Sequence, residues 1–278
     1  MKLLRDFWVY THFHLASSAL VLYILYAALF GKAIDWLYAI FLFLAVLTYY
    51  IFIRLLHRFS LHPALAQWYQ KKTKLLLFLG LIVFIWATGM FFQFDNISRI
   101  KIIITTLIAF LYHSDIRTSS LLTLRNKGIA KIFLISFVWA MMIVGIPLCN
   151  GKNLIQEGLI FIHAFVFVLI WTIPFDIRDL SLDEGSLKTL PVIFKEKTFR
   201  YVLPIIGIYF LLNVIILIFE YVPVFPVIVF AFGGILLTAA IYFAKYFADN
   251  YFYTAFWVEG IPIWMGVFYV LIKMFLIE

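Results

Sequence analysis

Charge is what this chain has least of. Asp, Glu, Lys and Arg make up 13% of its 278 residues, against 65% apolar residues, and mean hydropathy is +1.06. So little polar surface cannot coat a water-soluble globule, so the chain needs lipid around it. Acids are the scarcer sign, 14 against 22 Lys and Arg, and not one carboxylate lies between Asp35 and Asp95. The single cysteine, Cys149, excludes an intramolecular disulfide and any cysteine-based metal cluster. No Walker loop, GxGxxG, HExxH or Ser-His-Asp order is readable. Nor is a cleavable signal peptide: the first apolar run, Phe7–Gly31, is too long for one and reads as a membrane span.

Long apolar runs are what the chain has in place of charge. Eight lack any charged residue: Phe7–Gly31, Trp36–Ile53, Leu75–Phe94, Ile132–Gly151, Gly158–Phe175, Tyr201–Phe219, Tyr221–Ala244 and the weaker Gly260–Ile272. A ninth, Ile102–Ser114, is short and needs its flanks to reach spanning length. About 20 apolar residues cross a bilayer as helix, and backbone in lipid must satisfy its own hydrogen bonds. The expectation is an all-α, polytopic membrane helix bundle of nine transmembrane helices, one integral membrane domain over residues 1–278. With nine spans, 17 of the 22 basic residues share a side with the N-terminus. The net charge of +8 therefore reads as topology rather than nucleic-acid binding. It puts the N-terminus and the loops after even-numbered spans in the cytoplasm and the C-terminus on the opposite side.

Against this background, Phe175–Pro191, FDIRDLSLDEGSLKTLP, stands out. Asp176, Asp179 and Asp183 fall at i, i+3 and i+7, so on a helix continuing from the sixth span they share one face. Clustered carboxylates repel unless a cation lies between them, and oxygen-rich clusters suit Mg²⁺ bridged to substrate phosphates. The competing reading is a solvated loop between two spans.

The run Asp176-Ile-Arg-Asp179-Leu-Ser-Leu-Asp183 followed by Lys188-Thr-Leu-Pro191 resembles the second aspartate-rich motif of the UbiA-type membrane prenyltransferases, a DxxxD core after the sixth helix with a trailing Lys/Arg-Thr-Leu-Pro. The segment Leu124–Phe133 before Trp139 is similar, more loosely, to the connection between the family's fourth and fifth helices. The resemblance implies a UbiA-like bundle that moves an isoprenyl group from a prenyl diphosphate to a hydrophobic acceptor, often an aromatic ring. It further implies Mg²⁺ held by Asp176, Asp179 and Asp183, and diphosphate contacts from Lys188 and Arg125.

The chain departs from that family where a first motif, NDxxDxxxD, is expected. Thr48–Pro63 carries Arg54, His57, Arg58 and His62 instead. Arg54 and Arg58, one helical turn apart, can grip the diphosphate by charge-assisted hydrogen bonds. Equally, they can be positive-inside anchors, or the fold can survive without catalysis as a binder of isoprenoid lipid or of a partner. A small-solute transporter fits less well, because the spans carry almost no mid-helix ionisable residues. His163, inside the sixth span, reads as a helix–helix hydrogen-bonding residue. Glu220 and Glu259 read as residues of the other side or of span ends.

Overall fold

Ten α-helices account for most of the described residues, which in the computed structural model are 2–56, 63–113, 128–179, 197–218, 222–247 and 250–276. They are α1 (Lys2–Tyr10), α2 (Phe13–Leu29), α3 (Trp36–Leu56), α4 (Pro63–Phe91), α5 (Asn96–His113), α6 (Gly128–Ala140), α7 (Leu154–Arg178), α8 (Thr198–Ile218), α9 (Val224–Ala244) and α10 (Ile261–Leu276). Two wide π turns lengthen α6 and introduce α10, at Met141–Gly145 and Tyr253–Val258. Every apolar run falls on a helix, but the described helices do not by themselves make up the nine spans expected. Among the described residues, six helices are long and apolar enough to cross a membrane, and a seventh span arises if α1 and α2, bent by 62°, count as one. Among the missing runs, α5 opens on Arg99 and Lys101, and α6 with its π turn is only a short apolar helix, Ala130–Gly145. Apolar side chains such as Ile85, Trp86, Ile104 and Val270 point outward around the bundle, which in a multi-pass membrane protein is the lipid face.

The helix ends show why the chain breaks where it does. Asp35 Oδ1 accepts from Tyr38 N (3.1 Å), and Asp95 Oδ1 accepts from Ile97 N and Ser98 N (2.9 and 3.0 Å), so α3 and α5 each start on an acidic cap. Gly31, at φ +63°, closes α2 with its N–H on Ala28 O, a left-handed stop that a side chain would strain. α7 starts on Asn153, whose side chain accepts from Gln156 N, while Glu157 takes the N–H groups of Asn150 and Gly151 (3.1 and 2.9 Å). Asn153→Ala is expected to cost about 1 kcal/mol, seen as a lower melting midpoint of the detergent-solubilised protein with α7 otherwise intact.

α2, α7 and α9 form the centre. α9 approaches α8 closely because Gly234 has no side chain: a Cβ there would lie 2.6 Å from the Tyr209 ring. Tyr209 is itself fixed by its hydroxyl, which donates to Phe230 O at 2.8 Å. Tyr26 OH meets His163 Nδ1 at 3.0 Å, so His163 has the helix–helix role expected of it. Contacts run from α4 and α3 through α2, α10 and α9 to α7, α6 and α5. The two ends of that series, α3–α4 and α5–α6, face each other across a cavity.

Candidate active site

α3, α6 and α7 each carry charge at one end, and the alternation of the helices brings those ends together. Arg54 lies in the last turn of α3, Lys131 in the first turn of α6, and Asp176, Arg178 and Asp179 where α7 stops. Glu259, between the second π turn and α10, joins them. All six line one cavity of about 850 Å³, whose walls come mostly from α3, α4, α5, α6 and α7. That volume is in the upper range for a small-molecule site.

Below the charged end the cavity is apolar and aromatic. Phe41, Phe52, Phe84, Phe91, Phe110, Trp139, Trp171 and Phe175 line it, with Thr48, Thr105 and Thr172 interspersed. Trp139 meets Trp171 edge-on at 5.7 Å, and Trp171 Nε1 donates to Val258 O at 2.7 Å, so these rings are held rather than loose. Phe84, Ile103, Leu107 and Phe110 line the cavity and are also partly exposed on the outer surface, so the apolar end meets the lipid face between α4 and α5.

The charged end is a set of specific pairs. Lys131 Nζ donates to Asp176 Oδ1 at 3.1 Å, with Asp176 buried. Arg178 forks onto the neighbouring carboxylate, Nε to Asp179 Oδ1 at 2.7 Å and Nη2 to Oδ2 at 3.2 Å. Its Nη1 donates to Thr254 Oγ1 at 2.8 Å, and its guanidinium stacks near the Phe175 and Tyr251 rings. Such a bidentate pair is geometrically defined in a way a lysine contact is not. Burial disfavours charge on Asp179, yet the Arg178 guanidinium, with Lys131 and Arg54 behind it, holds its carboxyl below the usual carboxylate range. Burial pushes the Tyr251 phenol up to about 12 although Arg54 and Arg178 pull the other way. It stays protonated and able to donate.

The second π turn fixes Glu259. A π turn leaves carbonyls outside the ordinary helical ladder, and buried carbonyls need donors. Glu259 N donates to Thr254 O five residues back, while neighbouring helices supply the rest. His14 Nε2 contacts Phe256 O at 2.8 Å, Ser18 Oγ donates to Glu259 O at 2.6 Å, and Trp171 takes Val258 O. Trp8 Nε1 donates to His14 Nδ1 at 3.2 Å, which assigns the imidazole N–H to Nε2.

Of the residues expected from the sequence, Arg54, Asp176 and Asp179 come together at this end. Asp183, Lys188, Arg58 and Arg125 lie outside the described residues, as do His57 and His62. Lys131, Arg178 and Glu259 were not singled out from the sequence, and Glu259 corrects it outright. Expected at the far side or at an inconsequential span end, it lines the cavity. The signal was present: it precedes the last apolar run, on the side shared by the loops after even-numbered runs. Among the described residues no three His, Cys, Asp or Glu side chains converge as a metal cluster. Asp176 and Asp179 nevertheless fit Mg²⁺, which commonly takes one or two carboxylates and completes its shell with water and phosphate oxygens.

No family model matches the chain, and no curated protein matches it either. A solved structure of digeranylgeranylglyceryl phosphate synthase in membranes matches over 98% of this chain and 98% of its own, at 14% identity with a TM-score of 0.57. At that identity the likeness is one of fold. The chain thus shares the fold of that membrane synthase.

Proposed function

We propose that the chain is a membrane prenyltransferase that transfers an isoprenyl group from a prenyl diphosphate to a hydrophobic acceptor. One observation carries the reading: a charged end with fixed Arg, Lys and Asp side chains closes an 850 Å³ aromatic cavity that reaches the lipid face. A prenyl diphosphate has the same two halves.

Arg54, Lys131 and Arg178 supply cationic donors to phosphate oxygens where the first aspartate motif is absent. Asp176 and Asp179, together with Asp183, would hold Mg²⁺, which when bound offsets the charge that builds on the departing diphosphate. The apolar walls bury the prenyl tail and keep water from the allylic carbon as its bond to oxygen breaks. Trp139, Trp171 and Phe175 line the cavity, and in this reading their rings stabilise positive charge on that carbon. Lys188, Arg58 and Arg125 complete the diphosphate contacts in this reading. The charged end faces the cytoplasm with the N-terminus, and the C-terminus lies on the opposite side, on the charge asymmetry of the loops.

A second reading, lipid binding without chemistry, rests on the pairing of Asp176 with Lys131 and of Asp179 with Arg178, which neutralises both acids without a metal. Binding of geranylgeranyl diphosphate to the protein in nanodiscs, with and without Mg²⁺, separates the two. Tight binding strengthened by Mg²⁺ supports transfer; binding indifferent to Mg²⁺ supports the lipid binder; no binding in either condition overturns both. Arg54→Ala is expected to weaken that binding about tenfold, the effect of one lost charge-assisted contact, whereas Lys71→Ala, on the exposed face of α4, leaves it unchanged. Equal effects would return Arg54 to a membrane anchor.

A further inference from the structure

The three cations at the cavity's polar end are not held alike. Arg178 is fixed from several sides: it forks onto Asp179, donates to Thr254 Oγ1 and lies near the Phe175 and Tyr251 rings. Arg54 makes no ion pair with a described residue, and its Nε is buried without a hydrogen-bond partner. Lys131 lies between these extremes. From the first turn of α6 its Nζ reaches across to α7 and donates to Asp176 Oδ1 at 3.1 Å. An ammonium on a four-carbon stem exchanges one oxygen for another by rotating about its own bonds, which a forked guanidinium cannot do. The pair is well shielded, with 14% of the Lys131 side chain and 5% of the Asp176 side chain exposed.

Asp176 is also one of the two described carboxylates that fit Mg²⁺, so Lys131 and a metal compete for the same group. Among the described residues the charges lining the cavity are Arg54, Lys131 and Arg178 against Asp176, Asp179 and Glu259. Even with all three carboxyls ionised these cancel, so the protein without substrate has no surplus negative charge to draw a divalent cation. Nor can Lys131 simply leave, because a buried carboxylate stripped of its partner is strongly destabilising. A diphosphate changes both conditions. It brings several negative charges, and its oxygens offer the ammonium another acceptor.

Resting on the prenyl-transfer reading above, we infer that Lys131 is an exchangeable cation that closes Asp176 to Mg²⁺ until a prenyl diphosphate binds, so that the diphosphate enters first and the metal second. Lys131 moves from Asp176 to a phosphate oxygen, and Asp176 is then open to the metal. Arg178 stays on Asp179 throughout and keeps that carboxylate oriented. The pairing of both acids and their fitness for Mg²⁺ are then not in conflict: the pairs belong to the protein before substrate arrives. Because binding free energies are reciprocal, metal and diphosphate each tighten the other by the same factor.

Metal and diphosphate binding are read separately, on the full chain in phosphatidylcholine nanodiscs. Mn²⁺ stands in for Mg²⁺ and is followed by its EPR signal with no diphosphate present; radiolabelled geranylgeranyl diphosphate is bound in EDTA. The wild type is expected to hold Mn²⁺ weakly and yet to bind the diphosphate without metal. Lys131→Met keeps the stem and removes the charge. It is expected to bind Mn²⁺ about tenfold more tightly and the metal-free diphosphate about tenfold more weakly, the scale of one charge-assisted contact in each case. Lys131→Arg, which keeps a cation on Asp176, should return Mn²⁺ binding to the weak wild-type level. Arg54→Met should weaken the diphosphate without a comparable gain in Mn²⁺ affinity, because Arg54 holds no described carboxylate. A lysine that only joined α6 to α7, or only touched phosphate, would not tighten the metal when lost. If Lys131→Met binds Mn²⁺ no more tightly than the wild type, the inference falls and the prenyl-diphosphate reading stands. The same holds if the wild type binds the diphosphate only when metal is present, an outcome that needs no variant to fold. If the wild type binds no prenyl diphosphate in EDTA or in Mg²⁺, the reading itself falls, and the inference with it.

Discussion

Asp179→Asn should abolish Mg²⁺-dependent binding of a prenyl diphosphate and lower transfer by about 10² to 10³, the scale of losing one charge-stabilising group at a reacting centre. The substitution keeps size and shape, and an amide oxygen can still accept from Arg178, so the end of α7 should remain in place. What disappears is the negative charge. Arg178 then keeps its bond to Thr254 Oγ1 and its rings, but its forked carboxylate partner is gone. Asp183→Asn should behave in the same way if the two acids share one ion. Binding and transfer that survive both substitutions would remove the metal from this site. Asp179 also sets a pH limit. Its native carboxyl titrates below the ordinary value of about 3.9, so the pair stabilises the fold above that value and loses its effect as pH falls through the depressed native one. Melting midpoints measured between pH 6 and pH 3 should fall more steeply for the wild type than for Asp179→Asn.

Gly260→Ala should give the largest structural defect of any single methyl group added to this end of the molecule. A Cβ at Gly260 would lie 2.6 Å from Phe256 O and 2.8 Å from His14 Nε2, the two atoms that meet in the hydrogen bond holding the π turn. The carbonyl is backbone and cannot swing aside, so the turn must open or His14 must leave. Either response frees Glu259 from its position in the cavity. Overpacking of this kind costs about 1–3 kcal/mol, and here it also breaks a half-buried hydrogen bond. Gly89→Ala is the matched control, because a Cβ there meets nothing within 4 Å. Inside α4 it should be neutral or stabilising by up to about 1 kcal/mol. The expected pattern is a lowered melting midpoint and lost transfer for Gly260→Ala, with neither for Gly89→Ala. Identical melting curves for the two variants would show that the π turn has slack the geometry does not suggest.

Much of the architecture was readable because lipid leaves the backbone so few options. An apolar run that must satisfy its own N–H and C=O groups becomes a helix, and all nine runs did. How many of them cross the membrane was less readable. Hydropathy does not register the 62° break at His12, where a non-glycine residue takes φ +64°, or the π turn that ends α6 at Gly145. Asp176 and Asp179 could be found because their spacing is local to one helix. Glu259 could not be weighed, because its importance comes from residues some 80 and 200 positions away, Arg178 and Arg54, that the chain order keeps apart.

The amino-acid sequence alone determined that this is a helical membrane protein with a local acidic motif after the sixth apolar run. Those properties follow from composition and short-range periodicity, which do not depend on what packs against what. Only the tertiary structure decided which acids are matched by cations and which are not. Lys131 answers Asp176, Arg178 answers Asp179, and Arg54 and Glu259 are left facing the same cavity. Arg178 and Asp179 are chain neighbours, but the Lys131–Asp176 pair and the placing of Arg54 and Glu259 depend on distances between different helices, which only the folded bundle sets.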